Sequence, residues 1–168
     1  GAGGEGRDGR GRERAGEKRD DSRVPHRLAG NLVPRIGGVQ DDGYTKEALE
    51  MTLETRKIMG LGQVPISATC VRVPVERAHS ESIQVSTESP LDISAIREAF
   101  EKAPGLQVID DPHDDRYPTP LQAADQDDVF VGRLRQHPDE AATYDLWVVG
   151  DQIRKGAALN TVQIAEEL

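Results

Sequence analysis

The sequence predicts an α+β domain: a mixed, largely antiparallel sheet with helices packed on one face. Two observations carry this. Short β-branched runs are interrupted by helical stretches, and few of those runs are joined by tight hairpins. A third observation limits the fold. No Gly-x-Gly-x-x-Gly follows a predicted strand, so no complete dinucleotide fold is built within these 168 residues.

The elements follow in order. Residues 1–24 hold seven glycines, seven Arg or Lys and six Asp or Glu, with only Ala2, Ala15 and Val24 as apolar side chains. Such a segment cannot bury enough surface to offset its ordering entropy, so residues 1–24 read as a charged, glycine-rich linker and 25–168 as the folded domain. Thr45 to Met59 reads as a helix. Thr45 caps it, Glu47 suits its first turn, Leu49 and Leu53 share a face, and Gly60 ends it after Arg56 and Lys57. Residues 64–73 read as a strand, and Ser82 to Glu88 as another, with Ile83 and Val85 alternating against polar neighbours. A second helix is predicted from Asp92 to Lys102, stopped by Pro104-Gly105. Leu106–Ile109, Asp128–Arg133 and Tyr144–Val149 are further strands. A helix from Gln152 or Arg154 to Glu167 closes the chain.

Composition removes several function classes. With 21 basic against 30 acidic residues the net charge is −9, which gives a nucleic-acid partner no electrostatic support. The linker itself carries +1, so the folded part is more acidic still. No apolar run is long enough to cross a bilayer, and no apolar core of a secretory signal opens the chain. A single cysteine rules out an intramolecular disulfide. The expectation is a soluble cytoplasmic protein with no membrane or nucleic-acid partner.

The most informative stretch is Ser67–Val75 followed by Ala78-His79-Ser80-Glu81. Arg72 lies near the end of a β-branched run stopped by Pro74, and His79 follows seven residues later, on a loop or the next strand. Arg72 offers a fork that grips a carboxylate; His79 offers a group that titrates near neutrality. By spacing alone, a surface or hydrogen-bonded structural histidine and an exposed or ion-paired arginine are the commoner readings of the pattern.

Longer segments bear on that choice. Gly43-Tyr44-Thr45-Lys46-Glu47, Glu54–Ile58, Tyr117–Leu121, Val131–Arg135 and Gly150–Asn160, with Pro25–Pro34 as a degraded form of another segment, resemble in order those of aspartate-semialdehyde dehydrogenases, and the chain resembles that family over about 140 residues. The resemblance implies the carboxy-terminal catalytic and dimerisation domain, with a fold like the carboxy-terminal domain of glyceraldehyde-3-phosphate dehydrogenase. It implies NADP-dependent reduction of aspartyl phosphate to aspartate semialdehyde with release of phosphate, in lysine, threonine and methionine biosynthesis, by a homodimer. His79 matches the family's acid/base histidine, Arg72 the arginine on the substrate carboxylate, and Glu47 the residue that receives the substrate ammonium. Gln152 matches the amide that contacts the nicotinamide, and Gly1 a glycine beside the cofactor. For Glu47, a carboxylate favoured at a helix N-terminus is an adequate reading by itself.

The chain also departs from the family. Its nucleophilic cysteine and substrate-positioning glutamine belong upstream of the matched segments, and Cys70, in mid-strand without basic neighbours, is not a substitute. The isolated chain is therefore expected to be inactive. Glu50 stands where the family has a phosphate-binding lysine, and Lys46 one turn back is expected to point elsewhere. The acidic run Asp110–Asp115 reads as a solvated turn and not a metal site, and Trp147 as core or interface. The alternative is a non-catalytic interaction domain descended from the same family.

Overall fold

Helix α1, Lys46–Met59, has the ends its sequence dictates. The Thr45 hydroxyl accepts the Ala48 N–H at 3.3 Å, and Gly60 closes the helix in the left-handed conformation (φ +64°) while donating to Arg56 O. A computed structural model describes residues 26–168, so Gly1 and the linker expected over 1–24 lie outside the described residues. The chain divides into two compact units at Pro74/Val75.

In the first unit α1 is joined by extended backbone. Residues 64–73, expected as a strand, alternate between half-buried and exposed positions over 64–70, are exposed at 71–73, and form no ladder among the described residues. Their one bridge pairs Arg72 with Val33, through Val33 N–H to Arg72 O at 3.0 Å and Arg72 N–H to Val33 O at 2.8 Å. Side-chain alternation predicts an extended chain; it does not predict that a partner strand lies alongside. Side-chain ties add to the bridge: Arg56 Nε donates to Val64 O, and the Tyr44 and Ser67 hydroxyls share a hydrogen bond.

The second unit holds the sheet. Strands β1 (His79–Ser86), β2 (Leu106–Val108), β3 (Val129–Gln136) and β4 (Thr143–Gly150) lie in the order β1-β4-β3-β2. Pairs β1–β4 and β3–β4 are antiparallel and β2–β3 is parallel, so the sheet is mixed and largely antiparallel. Helix α2 (Ile93–Lys102), capped by the Asp92 carboxylate, connects β1 to β2 and lies against β2 and β3. A short helix α3 (Pro120–Ala123) leads into β3, and its Ala123 packs with Ala78, Phe130 and Val149 in the buried core, beside Ile109 and Trp147. Four residues are too few to carry a helical periodicity, so nothing in the sequence pattern marks α3.

Three further differences from the sequence reading have structural causes. Strand β1 begins at His79, three residues earlier than predicted, because His79-Ser80-Glu81 pair with Val148–Gly150 of β4. Strand β3 is bulged between Gly132 and Arg135. There Arg133 is left-handed (φ +55°), and the Asp110 carboxylate accepts its N–H at 2.7 Å and that of Leu134 at 3.3 Å. Asp110 also pairs with Arg97 at 2.5 Å and is nearly buried, so the acidic run opens with a structural anchor and not a solvated turn. Finally, the terminal helix opens as a π-helical turn, Arg154–Ala158, before α4 (Leu159–Glu166). Its wider turn is seen in Gly156 N–H to Asp151 O and Ala158 N–H to Ile153 O.

Candidate active site

The four candidate residues that fall among the described residues divide evenly between the units. Glu47 and Arg72 belong to the first, His79 and Gln152 to the second.

Glu47 sits in the first turn of α1 and is exposed, where the helix macrodipole favours its charge. Arg72 is exposed too, and its backbone is fixed by both hydrogen bonds to the buried Val33. Lys46 does not point away from Glu50, contrary to expectation: Lys46 Nζ lies 3.4 Å from Glu50 Oε1. That exposed pair adds little stability, yet it engages the one lysine near the position where the family has its phosphate ligand. A cavity of about 270 Å³ lies by the start of α1, lined by Tyr44, Thr45, Ala48 and Ser67–Cys70. Cys70 is half-buried there.

In the second unit His79 opens β1 at the sheet edge, opposite Gly150, and is exposed. The residue before it is unusual. Ala78 is buried yet left-handed (φ +73°), a conformation that costs a non-glycine residue about 1–2 kcal/mol. Its N–H donates to Gln152 Oε1 at 2.8 Å. The candidate nicotinamide-contacting amide therefore grips the residue next to the candidate acid/base. Because a backbone N–H only donates, Oε1 is fixed toward Ala78, and Nε2 remains a donor for another acceptor.

Sequence reasoning missed Asp151, beside Gln152. Its side chain is wholly buried. One carboxylate oxygen accepts the N–H groups of Ile153 and Arg154 at 2.8 and 3.0 Å; the other accepts the Asp125 N–H at 2.7 Å. Arg77 Nε lies 2.7 Å from that second oxygen, and Arg77 reaches Asp125 at 2.6 Å as well. The Arg77–Asp151 contact is an ion pair, not an aligned hydrogen bond, since the buried Nε–H finds no acceptor in line. Burial alone would push the Asp151 carboxyl up. The N–H groups of Arg154, Asp125 and Ile153, with the Arg77 guanidinium, outweigh it and hold the carboxyl well below the usual carboxylate range. A sequence signal existed: an aspartate directly after an apolar strand, where the closing helix is expected to begin at Gln152 or Arg154, has the form of an N-cap.

Among the described residues no cluster of His, Cys, Asp or Glu is arranged to hold a metal, and no helix is long and apolar enough to cross a membrane. Trp147 donates from Nε1 to Pro118 O at 3.0 Å, which fixes it against the core cluster.

Comparison with known proteins adds to this geometry. The aspartate-semialdehyde dehydrogenase of Aquifex aeolicus is 49% identical over 146 residues, which are 87% of this chain and 43% of that protein. That of Synechocystis is 46% identical over 86% of this chain and 43% of its own length. The chain thus spans about two fifths of the length of these relatives. Among solved structures, aspartate semialdehyde dehydrogenase II of Vibrio cholerae, complexed with ASA, matches with TM-score 0.79 and 39% identity over 83% of this chain and 41% of that one. The Candida albicans enzyme with NADP matches with TM-score 0.56 and 25% identity over 74% of this chain and 40% of its own. The fold is therefore an α+β domain found in aspartate-semialdehyde dehydrogenases of known structure. Residues 6–155 match the family described as semialdehyde dehydrogenase, dimerisation domain, and the chain belongs to that family.

Proposed function

We propose that this chain supplies the substrate-binding and acid/base part of an NADP-dependent aspartate-semialdehyde dehydrogenase. The enzyme reduces aspartyl 4-phosphate to aspartate 4-semialdehyde and releases phosphate, as a cytoplasmic homodimer serving amino-acid biosynthesis. Residues 25–168 form the catalytic and dimerisation domain, and 1–24 a linker. One observation carries the reading: Gln152 holds the N–H of Ala78, so a residue suited to a nicotinamide carboxamide and one suited to proton transfer share a single rigid corner.

The chemistry assigned to each side chain follows from its type. Arg72 binds the substrate carboxylate through a bidentate fork, which fixes orientation as well as charge. Glu47 receives the substrate ammonium. His79 takes up or returns the proton as the substrate carbon passes between acyl and aldehyde levels, a role worth about 10²–10⁴-fold. The nicotinamide, when bound, supplies the hydride. The donor set left at Gln152, an amide nitrogen with its oxygen already engaged, fits a carbonyl acceptor on that ring, and Gly1 is assigned to the same cofactor. The nucleophilic cysteine belongs to a segment upstream of the matched part.

The test is a chimaera that joins the amino-terminal part of the Aquifex aeolicus relative to this chain at Pro25. Aspartate semialdehyde, phosphate and NADP should yield NADPH with the chimaera and none with the chain alone. Turnover by the isolated chain, or a chimaera that dimerises and binds NADP yet shows no phosphate-dependent turnover, would contradict the proposal. A second reading, a non-catalytic interaction domain, is favoured by the Lys46–Glu50 pair, which puts a carboxylate in the phosphate ligand's place. It predicts the second of those outcomes.

A further inference from the structure

We infer that Asp151 is a positioning residue for His79, acting through Arg77, Ala78 and Gln152. The inference rests on the proposed role of His79 and names what holds that residue in place.

Two adjacent residues of one segment grip two adjacent residues of another. Asp151 pairs with Arg77, and Gln152 accepts the N–H of Ala78. The next residue, His79, begins a ladder against Gly150, which directly precedes Asp151. The backbone that presents His79 is thus fixed at three consecutive positions by Gly150, Asp151 and Gln152.

The middle position needs fixing. Left-handed Ala78 sits in a conformation that an isolated alanine leaves readily, so it persists only where its surroundings over-determine it. The Gln152 bond and the core contacts with Ala123, Phe130 and Val149 provide that. Asp151 in turn fixes Gln152. Its carboxylate caps the Ile153 and Arg154 N–H groups on the far side of Gln152 and ties them to the Asp125 turn, itself left-handed at φ +64°. Arg154 adds an ion pair to Asp127 on the same turn. One buried carboxylate therefore couples the proton-transfer residue to the amide assigned to the cofactor, although it touches neither ligand.

The test is heteronuclear NMR on the 168-residue chain. In Asp151→Asn, exchange of the Ala78 amide should accelerate about tenfold or more, and the His79 imidazole resonances should shift and broaden. The amides of Phe130 and Val149 should keep their protection within about twofold. Gln152→Ala should free the Ala78 amide and move the His79 signals while the Asp125 amide stays protected. Should Asp151→Asn fail to fold, Gln152→Ala and Arg77→Lys decide, since each leaves the aspartate's three N–H partners in place. Unchanged Ala78 exchange and unchanged His79 signals in the folded variants would overturn the inference. These signals report the latch whether or not His79 moves a proton. Loss of turnover in the chimaera carrying His79→Asn tests that role separately.

Discussion

The two units of this chain hold their candidate residues by different means. From Val75 onward a four-stranded sheet, a buried cluster and a buried carboxylate network fix His79 and Gln152 through hydrogen bonds between residues about 74 positions apart. Up to Pro74, one capped helix and isolated bridges hold Glu47 and Arg72, and among the described residues only Val33 and Ala48 are buried. Leu53, Ile58 and Met59 of α1 stay largely exposed. The residue proposed to transfer a proton, a role that tolerates little displacement, sits on the sheet. The side chains proposed to bind the substrate carboxylate and ammonium sit in the unit with fewer buried residues.

The contrast is breakable, and the largest effect is expected in the sheet. A Cβ on Gly132 would lie 2.2 Å from Ile109 O and 2.5 Å from Pro118 Cδ, against backbone and a proline ring that cannot yield. Gly132→Ala should therefore cost about 3 kcal/mol in urea unfolding, at the upper end for overpacking. A loss near zero would mean that β3 is loosely held.

Next comes the acid response of the buried network. A carboxyl held below its usual range contributes stability that is fully present above its unfolded-state value, near pH 4, and lost as pH falls through the lower folded-state value. Thermal unfolding should fall more steeply below pH 4 in the parent chain than in Asp151→Asn. Equal acid limbs would remove Asp151 from the account.

Smaller effects sharpen the comparison. The buried Tyr144 hydroxyl accepts the Leu91 N–H at 2.5 Å and donates to Leu91 O at 2.7 Å, so Tyr144→Phe should cost about 1–2 kcal/mol. Thr45→Ala removes the α1 cap and should cost about 1 kcal/mol. Hydrogen exchange should register that loss at α1 and leave the β3 and β4 amides unchanged. A uniform loss across both units would show that they unfold as one.

What the sequence made legible was local. Thr45, Gly60, Asp92 and Pro104-Gly105 mark helix ends because caps and breakers act within a few residues. The start of β1 was not legible, since His79-Ser80-Glu81 carries no apolar alternation and is strand only because β4 lies alongside. The bulge at Gly132 and the left-handed Arg133 depend on Asp110, more than twenty residues away. Ala78 gave no sign of a left-handed backbone, because glycine, not alanine, is the residue that announces one. Family motifs named His79, Arg72, Glu47 and Gln152, but not the carboxylate that organises two of them.

The most direct measurement is the steady-state rate of the chimaera with His79 intact and with His79→Asn, at saturating aspartate semialdehyde, phosphate and NADP. The account predicts that kcat falls by about 10²–10⁴-fold while NADP binding is retained. A kcat within about threefold of the parent, well below the range of acid/base catalysis, would contradict it and return His79 to the role of an exposed edge residue.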